Sequence, residues 1–276
     1  MFNEYPIAML TREDFVRRFG RNAIIGMVHV AALPGAPRYG GSMQAVVDAA
    51  LRDGRALREG GCDAIAFENF GDRPFFKDAV PAETVAGLTK VIGAVVAEVG
   101  MPFGVNVLRN DAASAIAIAA AAGAAFIRVN VHTGAMLTDQ GIIEGRAAET
   151  LRKRAAIAPD VLIFADHMVK HATPMVPVDD VHAAKDLRHR GFADAIIISG
   201  VETGAEPDRE NFARLREALN DTPIVVGSGL TVANAGTFAD ADGAIVGTSI
   251  KIDGRVEAPV DPDRVARLVA AFRQTR

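Results

Sequence analysis

This sequence predicts an α/β fold, a single (β/α)8 TIM barrel spanning residues 1–276, and three observations carry that expectation. Short β-branched apolar runs alternate with helical patterns along the whole chain, and the alternation counts eight of each. No composition shift or long linker divides the 276 residues, a length that such barrels commonly occupy as one domain. A doubly wound open sheet is the alternative reading of the same alternation.

Strands are expected at Ala23–Val30, Asp63–Phe67, Phe103–Leu108, Ala125–Val131, Val161–Ala165, Ala195–Ser199, Pro223–Val226 and Ala244–Val246. Helical patterns follow them at Met43–Glu59, Glu83–Val99, Ala112–Ala122, Ile142–Ala156, Val178–His189, Arg209–Leu219, Val232–Phe238 and Asp263–Phe272. Pro102 and Pro223 stand at strand entrances, where a strand tolerates proline. Residues 1–22 are expected to cap the bottom of the barrel.

Alternation sorts the strand residues by face. On the second strand Ile65 and Phe67 oppose Ala64, Ala66 and Glu68; on the third, Phe103, Val105 and Val107 oppose Gly104, Asn106 and Leu108. On the fourth, Val129 and Val131 oppose Arg128, Asn130 and His132. The bulky apolar faces should meet the helices, which leaves the small and polar faces to line the barrel.

Two successive strand ends near the C-terminus name a ligand class. Pro223-Ile-Val-Val-Gly-Ser-Gly-Leu-Thr and Gly243-Ala-Ile-Val-Gly-Thr-Ser-Ile-Lys each break at a glycine beside Ser or Thr, before a helical pattern. In a (β/α)8 barrel the loops after strands seven and eight commonly hold a phosphate, which glycines let the backbone approach. Gly227, Ser228, Gly229, Gly247, Thr248 and Ser249 are therefore candidate binding residues for a small phosphorylated substrate. One such turn alone would read as an ordinary strand-to-helix connection; two in tandem favour the anion.

Acids, bases and amides gather at other strand ends. Four of the six histidines, His29, His132, His167 and His171, end or follow strands, while His182 and His189 fall in the helical pattern after strand five and read as surface residues. Glu68 points inward near its strand's end and is a candidate proton-transfer group, with a structural ion pair to Arg128 as the alternative. Asp166, in Phe164-Ala-Asp-His-Met-Val-Lys-His-Ala, suits a base or an orienting carboxylate. Lys170 beside His171 suits a base, a Schiff-base nucleophile or a solvated loop lysine. His29 and His132 are the candidate partners of the carboxylates; Asn69, Asn106, Arg128, Asn130 and Ser199 complete the candidate binding set.

The composition narrows the partners. Thirty Lys and Arg against thirty-four Asp and Glu give a net charge of −4 with no basic block, so no nucleic acid is expected. The longest apolar stretch, Ala112–Ile127, is too short for a membrane span and reads as a buried helix followed by a strand. The N-terminus lacks the basic and apolar regions of a signal peptide, and Cys62 is the only cysteine; both favour a cytoplasmic setting. Cys62 begins the second strand, at the end of the barrel away from the mouth, which rules it out as a nucleophile. No cofactor is firmly implied: Walker A and GxGxxG are absent from the chain, and a divalent metal held by His and carboxylate side chains of several strand ends stays open. A homo-oligomer is compatible with the sequence and is not specified by it.

The chain resembles the BtpA family in an ordered series of motifs. They are Gly26-Met-Val-His-Val-Ala-Ala-Leu-Pro-Gly-Ala-Pro, Asp63-Ala-Ile-Ala-Phe-Glu-Asn-Phe-Gly-Asp, Gly104-Val-Asn-Val-Leu-Arg-Asn-Asp, Arg128-Val-Asn-Val-His-Thr-Gly, Val169-Lys-His-Ala and Gly227-Ser-Gly-Leu. One departure is the fifth strand end, where Asp166-His-Met stands in place of Asp-Val-His. The resemblance implies a barrel of the ribulose-phosphate-binding type. Through its cyanobacterial members it also implies a link to photosystem I accumulation, and through members elsewhere an older metabolic role. The leading functional expectation is an enzyme of the isomerase, epimerase or lyase type acting on a phosphorylated sugar-like metabolite. The alternative is a non-catalytic assembly or regulatory factor that kept the barrel and its phosphate site.

Overall fold

A computed structural model describes residues 9–200, 204 and 206–274. The chain runs α1 (Arg12–Phe19), β1 (Ala23–His29), α2 (Met43–Glu59), β2 (Ala64–Glu68), α3 (Ala82–Val99), β3 (Phe103–Asn106), α4 (Ala112–Ala122) and β4 (Phe126–Val129). It continues with β5 (Ala135–Thr138), β6 (Gly141–Glu144), α5 (Ala147–Ile157), β7 (Leu162–His167), β8 (Ala172–Pro174) and α6 (Asp180–His189). The last elements are β9 (Ala195–Ile198), α7 (Arg209–Ala218), β10 (Ile224–Val226), β11 (Gly243–Val246) and α8 (Pro262–Arg273).

Local chemistry sets many of these boundaries. Thr11, Ser42, Asp111, Asp179, Asp208 and Asp261 each accept a hydrogen bond from the backbone N–H three residues on, at the start of α1, α2, α4, α6, α7 and α8. Such caps satisfy N–H groups that a helix's first turn leaves unpaired. Gly100 and Gly123 end α3 and α4 in the left-handed conformation.

Eight parallel strands close into a barrel in the order β1-β2-β3-β4-β7-β9-β10-β11, with β11 returning to β1 so that Gly243 stands opposite Ala23. Closure leaves no edge and excludes the open doubly wound sheet. Outward-facing Ile65, Phe67, Val105, Ile127, Ile163 and Ile196 pack with the helices in one core, as alternation requires. Inward-facing Ile25, Ala64, Ala66, Phe126, Phe164 and Ile197 form a second core with Phe15 and Phe19 of α1.

That inner core is not small throughout, as the reading of strands two to four had suggested. The Phe126 and Phe164 rings stack with centroids 4.4 Å apart, and Phe15 and Phe19 close the bottom against them. A Cβ on Gly104 would lie 2.1 Å from the Phe126 ring, so glycine is what lets that ring cross the barrel. Cys62 is buried just below β2, and burial pushes its thiol up to about 12.

Three segments depart from the expected pattern. The stretch expected as a helix over Ile142–Ala156 begins as β6, which pairs antiparallel with β5 and turns at Gly141 (φ +90°). β8 pairs with the other side of β5, giving a three-stranded sheet on the side of the barrel where β4 and β7 end. The seventh helix, expected over Val232–Phe238, is a single 3-10 turn, Ala235–Phe238. Asn234 explains it: its Oδ1 accepts from Thr231 N and its Nδ2 donates to Gly229 O, which holds the chain in a loop where a helix would otherwise start. The fifth barrel strand, expected to end at Ala165, runs on to His167 and so carries Asp166 and His167 in regular register with β9.

Candidate active site

The inward faces of β1, β2 and β4 carry His29, Glu68 and Arg128 up to the C-terminal end of the barrel, where β10 and β11 end in their glycine turns. These groups and Lys170 line one cavity of about 150 Å³ together with Gly227, Ser228, Gly229, Gly247, Thr248 and Ser249. Gly247 lies against the His29 ring: a Cβ there would stand 2.8 Å from Cε1.

The two inward carboxylates are held differently. Glu68 accepts one hydrogen bond at Oε1, from Asn106 Nδ2 at 2.8 Å, while Oε2 lies 3.9 Å from His29 Nε2. Asp166 receives the Arg128 guanidinium on both oxygens, at 2.9 and 2.8 Å, and Asn130 Nδ2 on Oδ2 at 2.7 Å. Arg128 therefore pairs with Asp166 on the adjacent strand, and the ion pair between Arg128 and Glu68 considered from the sequence is not formed.

Burial decides the state of the bases. It pushes the His29 imidazole well below its usual range, with the nearby Lys251 and Lys170 charges adding to the effect, so His29 is neutral near pH 7. Burial also lowers Lys170; the Arg128 charge adds to this, and Glu68 and Asp166 oppose it. Lys170 is half-buried on the loop after β7, and that loop is fastened by Arg109, whose Nη2 donates to the Lys170 carbonyl at 2.8 Å. Lys251, which adds to the field at His29, is itself buried and paired with Asp53 of α2 at 2.9 Å.

Several residues singled out from the sequence stand apart from this cavity. His132 leaves the mouth altogether, its Nε2 2.8 Å from the Gly191 carbonyl oxygen in the helical layer, and burial lowers its pKa too. Asn69 is spent on the loop after β2: its Oδ1 accepts from Leu108 N and its Nδ2 donates to Asp72. Ser199 lies under Gly227, whose Cβ would meet its Oγ at 2.5 Å, and lines a neighbouring open cleft. His171 is exposed one residue beyond Lys170. His167 faces outward from β7, its Nε2 3.6 Å from Asp180 Oδ1. Among the described residues no three His, Cys, Asp or Glu side chains converge as a metal-binding group. No described helix is long and apolar enough to cross a membrane.

Sequence reasoning missed Arg109. It follows the third strand's end in Leu108-Arg109-Asn110-Asp111, is almost fully buried, and feels the charges of Asp166 and Glu68. A charged residue just past a barrel strand was the available signal. Neighbouring Asn110 is equally structural, its amide spanning both backbone groups of Val131.

Comparison with known proteins agrees with this architecture. The chain is 44% identical over 252 residues to the photosystem I biogenesis protein BtpA of Synechocystis sp. (strain ATCC 27184 / PCC 6803 / Kazusa), covering 91% of this chain and 88% of that one. It is 32% identical to the putative sgc region protein SgcQ of Escherichia coli (strain K12), covering 92% and 95%. Among solved structures, N-(5'-phosphoribosyl)anthranilate isomerase from Pyrococcus furiosus superposes with a TM-score of 0.55 at 12% identity, over 91% of this chain and 99% of that one, a likeness of fold. The sequence model of the BtpA family matches residues 20–274, and the chain belongs to the BtpA family.

Proposed function

We propose that this protein is an enzyme that binds a small phosphorylated, sugar-like metabolite at the barrel mouth and moves a proton on it, in an isomerase, epimerase or lyase type of reaction. The observation that carries this reading is that one cavity is lined both by the two glycine turns and by Glu68, Lys170 and neutral His29. Backbone N–H groups around Ser228–Leu230 and Gly247–Ser249 take the phosphate in this reading. Binding energy gained there, remote from the reacting carbon, leaves the side chains of the same cavity free for chemistry.

Within the reading the two carboxylates divide the work. Glu68 is the base, because Asn106 fixes one oxygen and leaves the other beside His29. Asp166 orients Arg128, since three hydrogen bonds already occupy its two oxygens. Lys170, lowered by burial, serves as the second proton-transfer group or as a contact to the substrate's oxygens. An assembly role, which the name of the cyanobacterial relative suggests, makes no use of these inward polar groups.

A thermal-shift series with inorganic phosphate and a panel of ketose and aldose phosphates tests the anion site. Thr248→Glu places a carboxylate in the cradle and should weaken phosphate binding about ten-fold or more by charge repulsion. It is a cleaner probe than Gly247→Val, which would also displace His29. Solvent deuterium appearing at a carbon of one of these sugar phosphates would support the proton-transfer chemistry. An equal phosphate response in wild type and Thr248→Glu would remove the cradle from the account.

A further inference from the structure

We infer that Asn234 is the positioning residue of the phosphate cradle: its side-chain amide holds the Gly229–Thr231 turn and ties it to Glu206 on the connection between β9 and α7. The inference rests on the phosphate reading, since that turn is one half of the cradle. Thr231 and Asn234 first cap each other. Asn234 Oδ1 accepts from Thr231 N at 2.7 Å, and Thr231 Oγ1 accepts from Asn234 N at 3.3 Å, the reciprocal pairing of a capping box. Such a box asks only for an acceptor at the later position. At the start of α1 the same chain builds one from Thr11 and Asp14, with a carboxylate. The NH2 end of Asn234 is therefore more than the cap requires.

That end acts on the cavity wall. The Thr231 N–H marks one end of the amide as oxygen, so the other is nitrogen, and Nδ2 donates to Gly229 O at 2.9 Å and to Glu206 Oε2 at 2.6 Å. Ser228, Gly229, Leu230 and Thr231 line the mouth cavity beside Gly247, Thr248 and Ser249. Gly229 lies in the left-handed region, at φ +75°. Hydrogen bonds at its carbonyl and at the N–H two residues on fix the peptide planes between them. Asn234 is itself buried, which shields both bonds from competing water. Glu206, held by the same amide, stands one side chain away from a turn that receives an anion. Its charge opposes binding, so what Asn234 contributes to the cradle is geometry.

Titration of the full chain with inorganic phosphate, followed in amide NMR spectra, tests this. In wild type the Gly229 backbone amide and the Asn234 side-chain amide should move along one binding curve, because a hydrogen bond joins them. The double variant Glu206→Gln/Asn234→Asp swaps donor and acceptor. It keeps the number of carboxylates, the acceptor for Thr231 N and a donor between positions 206 and 234, and it removes the donor to Gly229 O. Phosphate should bind it about five- to ten-fold more weakly than wild type at the same salt. The Thr231 amide should stay protected from exchange, as a sign that the cap is intact. The deficit should persist at about 1 M ionic strength, where the screening length is about 3 Å. A silent Asn234 side chain beside a responding Gly229, wild-type affinity in the folded double variant, or a deficit that disappears at high salt would each overturn the positioning role and leave the cradle standing. The wild-type comparison decides the matter even where the variant folds poorly. Absence of any phosphate response in wild type would instead remove the cradle, and this inference with it.

Discussion

The bottom and the mouth of the barrel are built on the same inward faces, two residues apart. On β4, Phe126 gives way to Arg128, with Asn130 just past the strand's end; on β7, Phe164 gives way to Asp166. Below, four phenylalanines pack in a buried plug whose attraction is dispersion and burial, and its contacts need no charge. Above, burying a guanidinium and a carboxylate costs solvation that only near-ideal bidentate geometry and the Asn130 amide offset. The difference separates stability from chemistry: the plug sets how firmly the barrel stands, and the mouth sets which charges it can present to a ligand.

The sharpest way to break that division is to remove charge at the mouth without altering shape. Glu68→Gln keeps the Asn106 contact within reach and should lower turnover by about 10²–10⁴, the usual span for a general base, with the melting temperature nearly unchanged. Comparison of turnover per folded molecule with thermal unfolding decides it. If Glu68→Gln unfolds the protein while each folded molecule stays fully active, Glu68 belongs with the plug as a structural residue.

The converse change lies at the bottom. Phe164→Ala removes a fully buried ring that touches Phe15, Phe19 and Phe126, and should cost about 3–5 kcal/mol of unfolding free energy. Activity of the remaining folded protein should hold, because the residues lining the mouth cavity include none of the four rings. Denaturant unfolding gives the first number, and an assay well below the melting point gives the second. A large loss of activity in folded Phe164→Ala would show that the plug also positions Asp166, two residues above it.

The sequence revealed the barrel and much of the mouth for the same reason: both are periodic. Alternation fixed the side of the strand on which Glu68, Asn106, Arg128 and Asn130 lie, and strand order brought the two glycine turns together. Where periodicity stops, the reading weakened. His132 continues the alternation of β4 on paper, but the strand ends at Val129 and Asn110 turns the chain outward, so the imidazole finds Gly191. Asn69 and Arg109 lie in loops whose geometry is set by hydrogen bonds to distant backbone, at Leu108 and Lys170, which no local pattern encodes. The β5-β6 hairpin failed differently. Two adjacent isoleucines in Gly141-Ile-Ile-Glu suit a strand or a buried helix, and only the positive φ at Gly141 decides between them.

Lys170 tests the mouth's side of the comparison at smaller amplitude. Burial lowers its pKa, so the folded state disfavours the ammonium, and Lys170→Met removes that cost. The variant should be no less stable than wild type near neutral pH, with the difference vanishing above the ordinary lysine pKa of 10.5. Its kcat/KM should fall about ten- to a hundred-fold as a proton-transfer or oxygen-contacting group is lost. Borohydride added with substrate should trap no adduct, since the proton-transfer role needs no imine. A borohydride-stable adduct confined to Lys170 would replace that role with Schiff-base chemistry.

The smallest expected effect is a pH dependence of stability, and its sign follows from burial. His29 has a folded-state pKa well below its ordinary 6.5, so the unfolded chain binds a proton in this window that the folded chain refuses. Stability from this group is fully present above pH 6.5 and is lost as the pH falls, by about 1.4 kcal/mol per pH unit, until the lowered folded value is reached. His132 and His167, both lowered by burial first, act in the same direction, so the wild-type protein should weaken steeply between pH 6.5 and 5. His29→Gln removes one of the three contributions. Its unfolding free energy should therefore fall about 1 kcal/mol less than that of wild type between pH 7 and 5.5, measured by urea denaturation at each pH. Parallel pH profiles for the two proteins would mean that His29 takes up its proton in the folded state. Glu68 would then face an imidazolium, and the neutral, base-flanked cavity on which the proton-transfer reading rests would have to be redrawn around a formed His29–Glu68 ion pair.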